Sequence, residues 1–118
     1  MNGTDELERV RHRLRAFVTE RDWDQFHTPK NLAMALVGEA GELIEHFQWL
    51  TPEQSTELSP QTLGEVELEI ADVLLFLLAL CDKLGVDPLA AAHRKLTLNA
   101  QRYPVEKARG RATKYDKL

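Results

Sequence analysis

Two pairs of acids carry the chemistry that this sequence could do. Glu39 and Glu42 stand three residues apart in LVGEAGELIEHFQWL (residues 36–50), and Glu69 and Asp72 stand three apart in ELEIADVLLFLLALC (residues 67–81). On a helix, that spacing places both members of a pair at neighbouring positions. Like charges so placed repel, and among apolar neighbours the cost rises steeply unless a cation is present. Two facing helices with such pairs form an oxygen-only site for a hard divalent ion. Mg2+ is the usual occupant where water and phosphate complete the shell, with Mn2+ as the alternative. A lone ExxE is common on helices, whereas ExxE followed thirty residues later by ExxD, both in apolar sequence, is more specific. Gly38 and Gly41 flank Glu39 and leave the backbone open to a neighbouring helix or an anionic ligand. On these residues alone a second reading stays open: a non-catalytic helical adaptor whose acids are surface charge.

Other side chains could complete such a site. Trp23 and Trp49 suit either a core or a stacking platform, and Trp49 lies seven residues after Glu42, on the same helix face. His27 suits a loop contact as well as a ligand. Lys95 and Asn99, one turn apart, offer a cation and an amide to a phosphate or sugar hydroxyl, or simply to solvent. Arg102 and Tyr103 precede Pro104 and are candidate triphosphate or structural contacts. The Glu-x-x-His spacing of di-iron bundles is absent: His46 follows Glu42 by four, and Ala90 stands three before His93.

Helices must position these groups. Leu7, Val10, Leu14 and Phe17 mark one apolar face over residues 5–20. Thr28 followed by Pro29 starts a second helix, expected to run to residue 50, where Thr51 and Pro52 stop it. A third is expected over 61–84, stopped by Gly85, and a fourth from Asp87 and Pro88 to just before Pro104. No stretch alternates with period two, so no sheet is expected. The expected fold is all-α: an antiparallel four-helix bundle over residues 1–103, then a basic tail over 104–118. After Asp72 the third helix is apolar nearly all round, which predicts burial on every side and a subunit interface with two-fold symmetry.

Composition bounds the rest. A chain of 118 residues, 43% hydrophobic, suits one domain, and a net charge of −4 gives no case for binding nucleic-acid polymers. A single cysteine, Cys81, excludes an internal disulfide and a zinc–thiolate cluster and fits a reduced, cytoplasmic setting. The charged start MNGTDELERVRHR is no signal peptide, and the longest apolar run, 73–81, is about half of what spans a bilayer.

The stretches RDWDQFHTPKNLAMALVGEAGELIEHFQWL, EIADVLLFLLAL, RYP and the final KYDKL resemble the MazG-like all-α nucleoside triphosphate pyrophosphatases, in particular their dCTP pyrophosphatase branch. The resemblance implies a Mg2+-dependent enzyme that converts a nucleoside triphosphate to the monophosphate and pyrophosphate, in sanitation of the nucleotide pool. It implies that Glu39, Glu42, Glu69 and Asp72 hold the metal. It maps base-binding groups onto Trp23, His27 and Trp49, and it implies a homotetramer built as a pair of dimers. Two positions depart from the branch: Phe76 replaces a tyrosine, and Leu14 stands where some relatives carry a histidine. Glu39 and Glu42 are the candidates for the general base, with Glu45 one turn on to orient either.

Overall fold

The computed structural model describes residues 3–118, with side chains from residue 5 onward. The described residues are helical, with no strand. The elements are α1 (Gly3–Glu20), α2 (Pro29–Glu45), α3 (Pro52–Ser55), α4 (Pro60–Leu84), α5 (Pro88–Arg102) and α6 (Val105–Ala108), with 3-10 turns at Asp24–Phe26 and Tyr115–Lys117. No helix among the described residues is long and apolar enough to cross a membrane.

One local device starts four of these helices. Thr28, Thr51, Ser59 and Asp87 each sit at the cap, accept a backbone N–H from the first turn, and are followed by proline. The cap satisfies a donor the helix leaves unpaired, and proline lacks the N–H that would otherwise be orphaned. Thr51 goes further: Gln54 returns a side-chain oxygen to the Thr51 N–H at 2.9 Å, closing a capping box. The pair expected to end α2 therefore starts a one-turn helix of its own. α2 itself stops at Glu45, short of residue 50, because the N–H groups of His46, Phe47 and Leu50 close over three residues and tighten the chain into turns. α4 ends as expected on Gly85, at φ +67°, a left-handed conformation that glycine adopts without steric cost.

The chain divides into two compact units, Met1–Gly85 and Val86–Leu118. In the first, α4 packs chiefly along α2 and also against α1. Val18, Leu32, Val66, Leu78, Ala79 and Cys81 are buried there. Within one chain α4 is not covered on every side, and the subunit interface expected from its composition concerns the faces left open. Leu78 is 1% exposed, yet Leu68, Ile70, Leu74 and Leu77 stand at the surface with Met34, Val37 and Ile44 of α2. Two helices can cover only part of the circumference of a third. The room beside Gly38 and Gly41 is likewise unused by this chain: a Cβ at either would meet nothing within 4 Å.

In the second unit, Tyr115 anchors the end of the chain. Its ring meets Tyr103 edge-on at 6.0 Å, and the Arg102 guanidinium lies 4.7 Å above it. These contacts tie the 3-10 turn after α6 to the last turn of α5.

Candidate metal centre and adjoining cavity

The packing of α2 on α4 brings acids from both helices together. One carboxylate oxygen from each of Glu39, Glu69 and Asp72 lies within 4.8 Å of the others. Glu42 adjoins them, one turn after Glu39, and interacts with both Glu39 and Glu69. Among the described residues no lysine or arginine forms an ion pair with any of these four; the ion pairs lie elsewhere. Glu65, on the same helix, lies 3.9 Å from His46 Nδ1 instead.

Two observations show what the cluster lacks. Glu39 Oε2 and Glu69 Oε2 are buried and accept no hydrogen bond. Carboxylate oxygens so placed carry a desolvation cost with nothing to offset it. The titration of the pair reflects this. The Glu39 carboxyl is pushed up to about 7, first by a hydrogen bond shared with Glu42, then by burial and by the charges of Glu42 and Asp72. Glu69 is raised too, first by burial and then by Glu42. Without a cation the crowded acids hold a proton to higher pH than free carboxylates do; a divalent ion would replace that proton and satisfy the orphaned oxygens. All the donors are hard carboxylate oxygens, which fits Mg2+ or Mn2+ and not a thiophilic metal.

A cavity of about 490 Å³ opens beside the acids, with Glu39 and Asp72 in its wall. Leu14, Phe17 and Val18 of α1 line one part, and Leu75, Phe76 and Ala79 of α4 another. Trp23 and His27, from the short segment after α1, complete it. Trp23 meets Phe17 edge-on at 5.6 Å. The cavity therefore offers apolar and aromatic surface next to a concentration of negative oxygen, the arrangement of a pocket for a ligand with a flat apolar end and a cation-bridged anionic end.

The structure thus brings Trp23, His27 and Phe76 to the cavity that Glu39 and Asp72 line. Trp49 is not in its wall: it lies beyond the end of α2 and is 87% exposed. Lys95, Asn99, Arg102 and Tyr103 belong to the second unit. The sequence marks Val10 and Phe17 only as part of an apolar helix face and singles out neither Val18 nor a role for Arg13, yet all four line the cavity. Their periodic spacing signals a buried face but not whether that face meets a core or a void. Asp82, whose contacts pin α1 to α4, was not singled out at all.

The MazG-like family profile matches residues 35–118. The chain is 45% identical over 117 residues to dCTP pyrophosphatase 1 of Mus musculus, covering 95% of this chain and 67% of that protein. It is 43% identical over 114 residues to dCTP pyrophosphatase 1 of Homo sapiens, with 95% and 67% covered. A solved pyrophosphatase from Archaeoglobus fulgidus superposes with a TM-score of 0.78 at 42% identity, covering 88% of this chain and 94% of that one.

Proposed function

The chain belongs to the MazG-like family, and from that premise we infer that it is a nucleoside triphosphate pyrophosphohydrolase acting on dCTP or a related deoxynucleotide. It converts a nucleoside triphosphate and water to the monophosphate and pyrophosphate. The observation that carries this reading is the pair of orphaned oxygens, Glu39 Oε2 and Glu69 Oε2, beside an aromatic cavity.

Glu39, Glu42, Glu69 and Asp72 would hold the metal, with Mg2+ preferred. Bound there, a divalent ion neutralises phosphate charge and lowers the pKa of water. The chain's own residues do the rest. Glu39 or Glu42 accepts a proton from the attacking water as its oxygen bonds to one of the two phosphorus atoms of the α–β bridge; the bridging P–O bond breaks, and the monophosphate and pyrophosphate separate. Trp23, with Phe17 and Phe76, gives the base an apolar face and excludes water, and His27 presents an imidazole to its edge. Phe76 lacks a hydroxyl, so it contributes surface without a hydrogen bond.

Trp49, Lys95, Asn99, Arg102 and Tyr103 are proposed as further substrate contacts, within a catalytic domain spanning residues 1–103 and followed by the tail at 104–118. The exposed apolar faces of α2 and α4 support a homo-oligomer, proposed as a tetramer of two dimers of four-helix units. A single cysteine supports a cytoplasmic setting, and a role in nucleotide-pool sanitation follows from the reaction. Pyrophosphate release measured across the deoxynucleotides and ribonucleotides tests the reading. dCTP should give the highest kcat/KM, and EDTA should abolish it. No release from any triphosphate in Mg2+ would return the chain to the adaptor reading.

A further inference from the structure

The cavity beside the acids has walls from two helices that touch along a narrow seam. Leu14 and Val18 of α1 and Ala79 of α4 line that cavity, and they also line a second one of about 500 Å³. The two spaces therefore adjoin at the apolar contact between α1 and α4 and at His27, which lines both. On the far side, Arg11 and Arg15 of α1 both reach Asp82 of α4. Arg11 donates from Nε to Asp82 Oδ1 at 3.2 Å and also from Nη2. Arg15 donates from Nε to Oδ2 at 2.9 Å and from Nη2 to Oδ1 at 3.0 Å. The side chains of Arg11 and Asp82 are 15% and 19% exposed, so their pair is shielded in a way that the surface pair Arg9–Glu6 is not, while Arg15, 46% exposed, joins Asp82 from the solvent side. Each guanidinium presents planar donors to one carboxylate, which fixes angle as well as distance.

We propose that Asp82 is a positioning residue for the nucleotide: through Arg11 and Arg15 it sets how α1 stands on α4, and so how the wall formed by Leu14, Phe17 and Val18 faces Glu39 and Asp72. This rests on the nucleotide reading of the cavity. Asp82 lines the second space and not the cavity beside the acids, so its effect on the nucleotide passes through the Arg11 and Arg15 contacts to α1; it therefore governs affinity and leaves the bond-breaking step, held by Glu39, Glu42, Glu69 and Asp72, largely untouched. Removing the carboxylate leaves Arg15 without its acid on α4 and Arg11 with only Glu8 of its own helix, so the two adjacent guanidinium groups lose the charge that lay between them. Their repulsion opens the seam on the side away from the acids.

The test uses the full chain with dCTP and Mg2+, well below the melting temperature of each variant. Asp82→Asn should raise KM about tenfold with kcat within about twofold, the signature of lost ground-state and transition-state binding alike. Asp82→Glu, which keeps the charge, should recover most of the affinity. Arg15→Ala should raise KM less than Asp82→Asn, and the Asp82→Asn change should cost less in the Arg15→Ala background, because the two act as one unit. Arg9→Ala, which removes a cation of α1 outside the cluster, should change neither constant. Amide hydrogen exchange in residues 10–18 should speed up in Asp82→Asn. An unchanged KM in folded Asp82→Asn, or a fall in kcat with KM unchanged, would overturn the proposal. If Asp82→Asn does not fold, Arg15→Ala decides the matter by the same split. If the parental protein hydrolyses no triphosphate, the functional reading fails, and the exchange rates still decide whether Asp82 holds α1 in place.

Discussion

Glu39 Oε2 and Glu69 Oε2 come from different helices, are both buried, and neither accepts a hydrogen bond. That relationship makes the acid cluster unstable as a set of free carboxylates, and it decides how the protein should respond to protons and metal.

The first prediction is a pH dependence of the metal-free protein. The Glu39 carboxyl has an ordinary value of 4.5 and is pushed up to about 7 in the fold. Between those values the folded state holds a proton that the unfolded state has lost, so stability falls as pH rises through that window. Glu69, raised in the same direction, adds to the trend. Melting temperature in EDTA should therefore drop between pH 5 and pH 8 more than in the Glu39→Gln variant. Saturating Mg2+ should reverse the drop at pH 8, since a ligand bound only by the folded state stabilises it. A flat profile in EDTA would show that the four acids do not crowd one another.

Neutralising the cluster should separate stability from activity. Glu69→Gln or Asp72→Asn removes a repelling charge, so the metal-free melting temperature should stay level or rise. Turnover should fall at least about a hundredfold, because each change removes a carboxylate from the proposed metal-binding set. Full activity in both variants would remove these residues from the site.

The two tryptophans should behave differently. Trp23 lines the cavity and packs on Phe17. Trp23→Ala should raise the KM for nucleotide, since base stacking contributes roughly 1–3 kcal/mol in other nucleic-acid sites. Trp49 is 87% exposed, so Trp49→Ala should leave the stability of the isolated chain unchanged. A raised KM in that variant would identify Trp49 as a substrate contact reached from the surface; an unchanged KM would leave it outside the site. Phe76→Tyr is the companion: a changed preference among bases or sugars would mark that position as selective.

Neighbouring leucines on α4 should divide folding from assembly. Leu78 is 1% exposed and Leu77 39%. Leu78→Asp buries an unpaired charge and should prevent folding. Leu77→Asp should leave the chain helical while dissociating the proposed oligomer, with activity lost alongside. Light scattering that gives a monomer for the active parental protein would refute the assembly.

The helices and their starts were legible in the sequence because their determinants are local. Thr28 with Pro29, Asp87 with Pro88, and Gly85 after α4 act over one turn of chain. The same locality explains the error at Thr51: the pair with Pro52 was read as a stop, although Gln54 three residues on makes it a start. The acid pairs were legible too, since spacing alone puts Glu39 beside Glu42 and Glu69 beside Asp72. Only the tertiary structure decided which oxygens meet, which are left without a donor, and which apolar residues of α1 face a void. It also decided that Asp82 joins Arg11 and Arg15, residues 71 and 67 positions away in the chain. Such relations depend on the rotation of each helix about its axis and on the angle at which it crosses its neighbour. Packing of side chains from distant parts of the chain sets both, so no window of sequence contains them.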